Sequence, residues 1–207
     1  MGRAELTRPI SADDVEEICG IEIDLRDFDI ADDLEVLDIG AGGDAVIFQS
    51  IQRDIYGLEA AEEEIYVTKE KGIEERIGAI IHWIQGDARE MPVEDAQFDV
   101  VTSFFTCMYI RDPESKQKLF DECYRVLKND GTFYMWDFSI TTNKQVFVGK
   151  LNIILPNDRT VSASYGIGGE QKDQTLQSII EYANEAGFHC VNQEQHNPYF
   201  YLEFKKR

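Results

Sequence analysis

The stretch EVLDIGAGGDAVIFQS, residues 35–50, decides the fold. A short apolar run from Leu34 to Ile39 ends in glycines at positions 40, 42 and 43, and a helix-compatible segment follows from about Asp44 to Gln52. Strand, glycine turn and helix in that order open an alternating α/β chain. Glycines at the carboxyl end of a strand let the backbone pass close to a ligand, and the next helix offers unpaired N–H groups to its polar part. Asp44 stands where a further glycine would be expected. As a helix N-cap, its carboxylate would accept from the N2 or N3 amide.

The pattern continues downstream. DIYGLE (54–59) predicts a second strand, followed by a charged helix through about Glu75 with Ala61, Ile65 and Ile73 on one stripe. AIIHWIQ (79–85) and FDVVTSFF (98–105) are dense in β-branched and aromatic residues, as strands buried on both faces are. Asp112 and Pro113 open a helix whose Leu119, Cys123, Val126 and Leu127 share a face, and the turn Asn129-Asp130-Gly131 is expected to stop it. TFYMWDF (132–138) supplies a fifth strand. Residues 145–155 and 159–165 predict a hairpin around Pro156-Asn157-Asp158, and SYGIGGE, with Gly166, Gly168 and Gly169, reads equally as a mobile lid or as a flexible connection into the last helix. Leu176, Ile179, Ile180 and Ala183 mark a last helix closed by Gly187. FHCVNQE and YFYLEF then flank His196-Asn197-Pro198, and so short a connection forces them antiparallel.

These elements predict a Rossmann-like doubly wound α/β fold: a seven-stranded, mostly parallel sheet with an antiparallel terminal strand, helices on both faces and an inserted β-hairpin. One domain is expected over residues 1–207. Residues 1–33 would form a helical cap starting at Ser11, with Asp13, Asp14, Glu16 and Glu17 in its first turns. Residues 34–138 would be the ligand-binding core, 139–170 the hairpin and lid, and 171–207 the last helix and closing strands.

Charge and composition narrow the partners. Forty acidic against 20 basic side chains give a formal charge of −20, which repels nucleic acid and anionic membranes and forms a solvated acidic surface. The run Val100 to Ile110 is interrupted by Thr102, Ser103 and Thr106 and falls short of the roughly 20 residues that span a bilayer. The first 30 residues lack an apolar h-region, so a cytoplasmic protein is expected. Cys19, Cys107, Cys123 and Cys190 show no paired spacing for a metal or redox site and read as reduced core residues; no metal is expected.

Glu59 ends the second strand 19 positions after Gly40, the spacing at which a carboxylate accepts ribose hydroxyls in a βαβ nucleoside site. Residues 40–45, GAGGDA, also satisfy GxGxxG/A, so an NAD-dependent oxidoreductase is an alternative. Against it stand Asp38, better suited to an ammonium than to a pyrophosphate, the GDAREMP segment after strand three, and the antiparallel closing pair.

VLDIGAGG, the strand ending in GLE, IQGDAREMPVEDAQFDVV and ECYRVLKNDGTFYMWDF occur in this order. In them the chain resembles the class I S-adenosylmethionine-dependent methyltransferases, particularly the small-molecule, ubiquinone/menaquinone-type enzymes, from about Leu34 to Phe138. The resemblance implies S-adenosyl-L-methionine as cofactor and methyl transfer to a small-molecule acceptor. It places Asp38 near the methionine amino group, Gly40 and Gly42 beside the cofactor backbone, Glu59 on the ribose, Asp87 and Ala88 at the adenine, and Phe104 beside the reactive methyl. Asp44 departs from the family's glycine loop and would repel the methionine carboxylate. Candidates for a general base are Asp137, Tyr109 and His196, each with an equally good structural explanation. Residues 139–170 are expected to form the acceptor side. A non-catalytic S-adenosylmethionine-binding protein is a second alternative, and either a monomer or a homodimer fits.

Overall fold

The computed structural model describes residues 10–207, so the first nine residues of the expected cap lie outside the described part. After one 3-10 turn at Ala12–Asp14 come β1 (Val15–Asp24), β2 (Val36–Ile39), α1 (Val46–Ile51), β3 (Ile55–Glu59), α2 (Glu62–Glu70), α3 (Ile73–Ile77), β4 (Ile81–Gln85) and β5 (Phe98–Phe104). The chain continues through α4 (Pro113–Val126), β6 (Leu127–Phe138), β7 (Val146–Leu155), β8 (Arg159–Gly168), α5 (Leu176–Ala186), β9 (His189–Gln195) and β10 (Tyr199–Lys205).

The main sheet has the order β4-β3-β2-β5-β6-β10-β9. Its first five strands are parallel, and β10 runs antiparallel to both β6 and β9. This is the Rossmann-like, mostly parallel seven-stranded sheet with an antiparallel end that the sequence pattern predicts. Alternate residues along each strand serve opposite layers. Leu37, Ile39, Val101, Phe133 and Met135 pack against Leu119, Phe120 and Cys123 of α4 and Ile179 of α5. Val36, Val100 and Ile55 face the other way, onto Phe48 of α1 and Ile73 of α3.

Three boundaries move for local reasons. The charged helix breaks in two at Gly72, whose φ of +57° lies in the left-handed region. α4 begins as expected, with Asp112 Oδ1 accepting from the Ser115 amide at 2.9 Å, but it ends at Val126 rather than at Asn129-Asp130-Gly131. Leu127 already pairs with Phe98, and the next pair is Thr132 with Val100, so the NDG turn is a bulge inside β6. Gly166 and Gly168 belong to β8, paired with Val148 and Val146, so most of the expected lid is strand.

The largest correction concerns the N-terminal region, which is a strand where a helical cap was expected. The acidic turn stops after one capping box, with Ser11 N and Oγ donating to Asp14 Oδ2 at 2.9 and 2.7 Å. Beyond it, buried Ile21 and Ile23 alternate with exposed Glu22 and Asp24, which is a strand's period of two. β1 lies parallel to β7, and β7 pairs antiparallel with β8, the expected hairpin; the three form a separate sheet, β1-β7-β8. Its inner face, including Ile23, Phe147, Leu151 and Ile153, packs on Phe104, Phe105, Trp136 and Phe138 at the ends of β5 and β6. Contact at this seam is close: a Cβ on Gly149 would lie 2.1 Å from Phe138 Cζ.

All four cysteines are free, and only Cys107 and Cys123 are core residues; Cys19 is exposed on β1 and Cys190 is half-buried. No helix among the described residues is long and apolar enough to cross a membrane.

Candidate active site

A cleft of about 1400 Å³ opens beyond the carboxyl ends of β2, β3 and β5, where the strand order reverses. Asp38, Gly40, Gly42, Glu59, Asp87, Ala88 and Phe104 all line it. Gly40 turns the chain with a φ of +72°, and a Cβ there would come within 2.3 Å of Thr106 Oγ1, which donates to the Ile39 carbonyl at 3.0 Å. At Gly42 a Cβ would lie 2.6 Å from Glu64 Cβ and 2.9 Å from Glu59 Oε2. The absence of a side chain lets the loop close on the end of β3: the Gly42 amide donates to Glu59 Oε2 at 3.3 Å, and the Ala61 amide to Oε1 at 2.9 Å. Two amides therefore fix the Glu59 carboxylate at the mouth of the cleft.

Asp38 is buried, 3% exposed, and Thr102 Oγ1 donates to its Oδ1 at 2.7 Å. Burial pushes its carboxyl up to about 7; the Thr102 bond opposes that rise and the Glu59 charge adds to it. Asp87 is held differently. The Arg89 guanidinium bonds both its oxygens, with Nη2 2.5 Å from Oδ2, and keeps the carboxyl below the usual range. Ala88 is half-buried beside it.

Asp44 does not cap α1. Ala45 occupies the N-cap in a left-handed conformation, φ +43°, with no side-chain cap. The Asp44 carboxylate turns instead to Lys71, whose Nζ lies 2.7 Å from Oδ1 and also donates to the Gly43 carbonyl at 3.3 Å.

Residues 37–135 match the family model described as "Methyltransferase domain". The chain is 26% identical over 163 residues to the mitochondrial 2-methoxy-6-polyprenyl-1,4-benzoquinol methylase of Pongo abelii, covering 74% of this chain and 46% of that protein. It is 27% identical over 170 residues to the ubiquinone/menaquinone biosynthesis C-methyltransferase of Dinoroseobacter shibae, covering 75% and 66%. The crystal structure of a SAM-dependent methyltransferase from Methanosarcina mazei shares the fold, with a TM-score of 0.62 at 16% identity over 86% of this chain and 94% of that one. Residues 37–135 therefore carry a methyltransferase domain, and these similarities support the class I S-adenosylmethionine-dependent family. The cofactor of that family is S-adenosyl-L-methionine. The chain spans less than half the length of the first curated relatives it matches, 46%, 40% and 42%.

The cleft of the methyltransferase domain continues from the glycine loop to an aromatic wall. Phe105 stacks on Tyr165 of β8 at 5.1 Å and 24°, with Phe104 edge-on to Phe105 at 4.8 Å. Of the three candidate bases, Tyr109 alone lines the cleft. Burial pushes its phenol up to about 12, with the Gly166 amide pulling the other way, although 42% of the residue is exposed. Asp137 is fully buried and does not line the cleft. It accepts from the amides of Met108 and Phe138 at 3.1 and 2.8 Å and from Gln174 Nε2 at 2.8 Å, and burial raises its carboxyl to about 6. That is a structural tie between loop, strand and the segment after β8. His196 sits in the β9–β10 turn, stacked on Tyr199 and 3.1 Å from Glu194 Oε2, outside the cleft lining.

Sequence reasoning missed Thr102 and Thr106 as parts of the site. Their one signal was that they interrupt an otherwise apolar strand end. Arg111, Lys144 and Lys172 also line the cleft, and nothing in their local sequence marks them. Among the described residues no group of three or more His, Cys, Asp or Glu side chains is placed to hold a metal ion.

Proposed function

We propose that this chain is a cytoplasmic enzyme that transfers a methyl group from S-adenosyl-L-methionine to a small apolar or aromatic acceptor by in-line displacement. The observation that carries the reading is the Glu59 carboxylate, fixed by two amides across the glycine loop from buried Asp38. A carboxylate at a strand end suits vicinal hydroxyls, and a second, buried one suits an ammonium. In this assignment Glu59 accepts from the ribose hydroxyls and Asp38 holds the methionine amino group. Gly40 and Gly42 admit the cofactor backbone, Asp87 and the Ala88 amide meet the adenine, and Phe104 flanks the methyl.

The bound cofactor supplies an activated methyl on a sulfonium, so the protein has to orient a nucleophile and exclude water. Phe104, Phe105 and Tyr165 form a dry wall suited to that task, and the name of the benzoquinol methylase agrees with a ring-bearing acceptor. Tyr109 is the acid–base candidate that reaches the cleft, and its raised phenol makes it a proton donor or hydrogen-bond anchor at neutral pH rather than a base. The charge of −20 supports an acceptor other than nucleic acid.

Calorimetry with S-adenosylmethionine and S-adenosylhomocysteine tests the reading. We expect binding of both, weakened at least tenfold, about 1.4 kcal/mol, by Glu59→Ala. Absence of binding by either at millimolar concentration refutes the cofactor assignment, and an unchanged affinity in Glu59→Ala removes Glu59 from its role.

A further inference from the structure

With acidic side chains outnumbering basic ones 40 to 20, a cation in this chain has many carboxylates to choose from. Lys172, in the segment between β8 and α5, has none. It is 8% exposed, it lines the active-site cleft, and its ammonium has no hydrogen-bond or ion-pair partner among the described residues. Its stem is buried while its ammonium opens into the cleft, where an unpaired cation is placed to receive an anionic group of a ligand.

Two further cations gather at the same end of the cleft, where β8 finishes and the Gly169 amide bonds the Gln145 carbonyl at 3.0 Å. Arg111 Nη1 donates to the Gly168 carbonyl at 3.0 Å and Lys144 Nζ to the Asp13 carbonyl at 2.8 Å. Neither meets a side-chain carboxylate among the described residues. The acids at this end do not fill the gap: Asp112 Oδ1 accepts from the Ser115 amide at 2.9 Å, and Glu170 is exposed.

We propose that Lys172, flanked by Arg111 and Lys144, receives a carboxylate of the methyl acceptor, which makes the acceptor a small aromatic or apolar carboxylic acid. This rests on the methyltransferase reading above. The same cleft is lined by Asp38, Asp44, Glu59 and Glu64, so a dianionic phosphate meets about twice the repulsion that a single carboxylate does. The Phe105–Tyr165 stack in the same cleft suits the apolar body of such an acid. The cofactor's own carboxylate is the other source of the same chemistry, and the test separates the two.

Calorimetry on protein saturated with S-adenosylhomocysteine compares benzoate, phenylacetate and cinnamate with their carboxamides. We expect at least one acid to bind tenfold or more tightly than its amide. Lys172→Met should abolish that preference while changing S-adenosylhomocysteine affinity less than twofold, and Lys172→Arg should retain part of it. Lys172→Gln serves the same purpose if the methionine variant folds poorly. Equal affinity for every acid–amide pair, including no binding of either, overturns the proposal. So does a tenfold loss of S-adenosylhomocysteine affinity in Lys172→Met with methylthioadenosine unaffected, because the carboxylate is then the cofactor's. If the wild type does not bind S-adenosylhomocysteine at all, the methyltransferase reading falls as well; binding without acid preference sinks this proposal alone.

Discussion

The two ends of the cleft are built in opposite ways. The glycine-loop end comes from neighbouring strand–helix units: β2 pairs with β3 and β5, and Glu59 is held by amides of its own loop and of Gly42. The aromatic end is assembled from distant pieces, with Val15 pairing with Val146 and β8 folding back over Phe104 and Phe105. A site built from local backbone keeps its geometry while surface sequence changes; a wall docked from remote segments can be altered without disturbing that geometry. Breaking the seam between the two is the most direct test of this division.

Phe138 is that seam. It is fully buried, with ring centroids 4.4 Å from Phe105 and 5.1 Å from Phe147, and its ring fills the space left by Gly149. Phe138→Ala should reduce stability by about 3–5 kcal/mol in urea denaturation. If the wall is truly separable, cofactor affinity measured below the unfolding transition should change little.

A smaller effect is expected at the polar tie. Gln174 Nε2 donates to Asp137 Oδ1 at 2.8 Å and to the Phe138 carbonyl at 3.0 Å, while its Oε1 accepts from buried Lys116. Gln174→Leu leaves a buried carboxylate and a buried ammonium without their bridge, a loss of roughly 1–3 kcal/mol. Limited proteolysis should then cut first in the segment after β8. Unchanged protection there would show that the apolar seam alone anchors the wall.

What could be read in advance follows the same division. VLDIGAGG, GLE and FDVVTSFF each combine a buried strand with its loop in a few consecutive residues, so the mostly parallel sheet and the positions of Asp38, Gly42 and Glu59 at its strand ends were legible. The fate of residues 15–24 was not. Asp13, Asp14, Glu16 and Glu17 imitate a helix's acidic first turn, and the partner strand that overrides this signal lies far along the chain. Asp137 misled for a related reason. It closes β6 on the site's edge of the sheet, but contacts from Met108 and Gln174 turn it into the core, and no local pattern records them.

The glycine-loop end can be sharpened by pH. The Asp38 carboxyl titrates at about 7 in the folded protein, against roughly 3.9 in an unfolded chain. Its pKa is raised, so folding takes up a proton, and its contribution to stability is full below about pH 4 and lost as pH rises through about 7. Asp38→Asn should flatten that part of the stability profile. In the proposed complex an ammonium needs the ionised carboxylate, so cofactor affinity should rise with pH up to about 7, by up to tenfold per unit, with a proton released on binding. Calorimetry in buffers of different ionisation enthalpy reads that proton directly. A pH-independent affinity would separate Asp38 from the ammonium.

The smallest effect belongs to Asp44, the residue in the loop that looked least suited to a ligand bearing a carboxylate. Lys71 answers that difficulty, since its ammonium lies 2.7 Å from the carboxylate and bonds the Gly43 carbonyl as well, so the loop presents a paired charge. The pair is partly exposed, at 41% and 29% of the two side chains, and its worth to stability should be only about 0.2–1 kcal/mol. Its effect on binding is more telling. Lys71→Met leaves Asp44 unopposed beside the cofactor loop and should weaken S-adenosylhomocysteine, whereas Asp44→Asn added to it removes the anion and restores affinity. A double-mutant cycle measures this, and the coupling should shrink as salt is raised, because partly exposed charges are screened. Additive single effects would mean that Asp44 lies too far from the ligand to act on it.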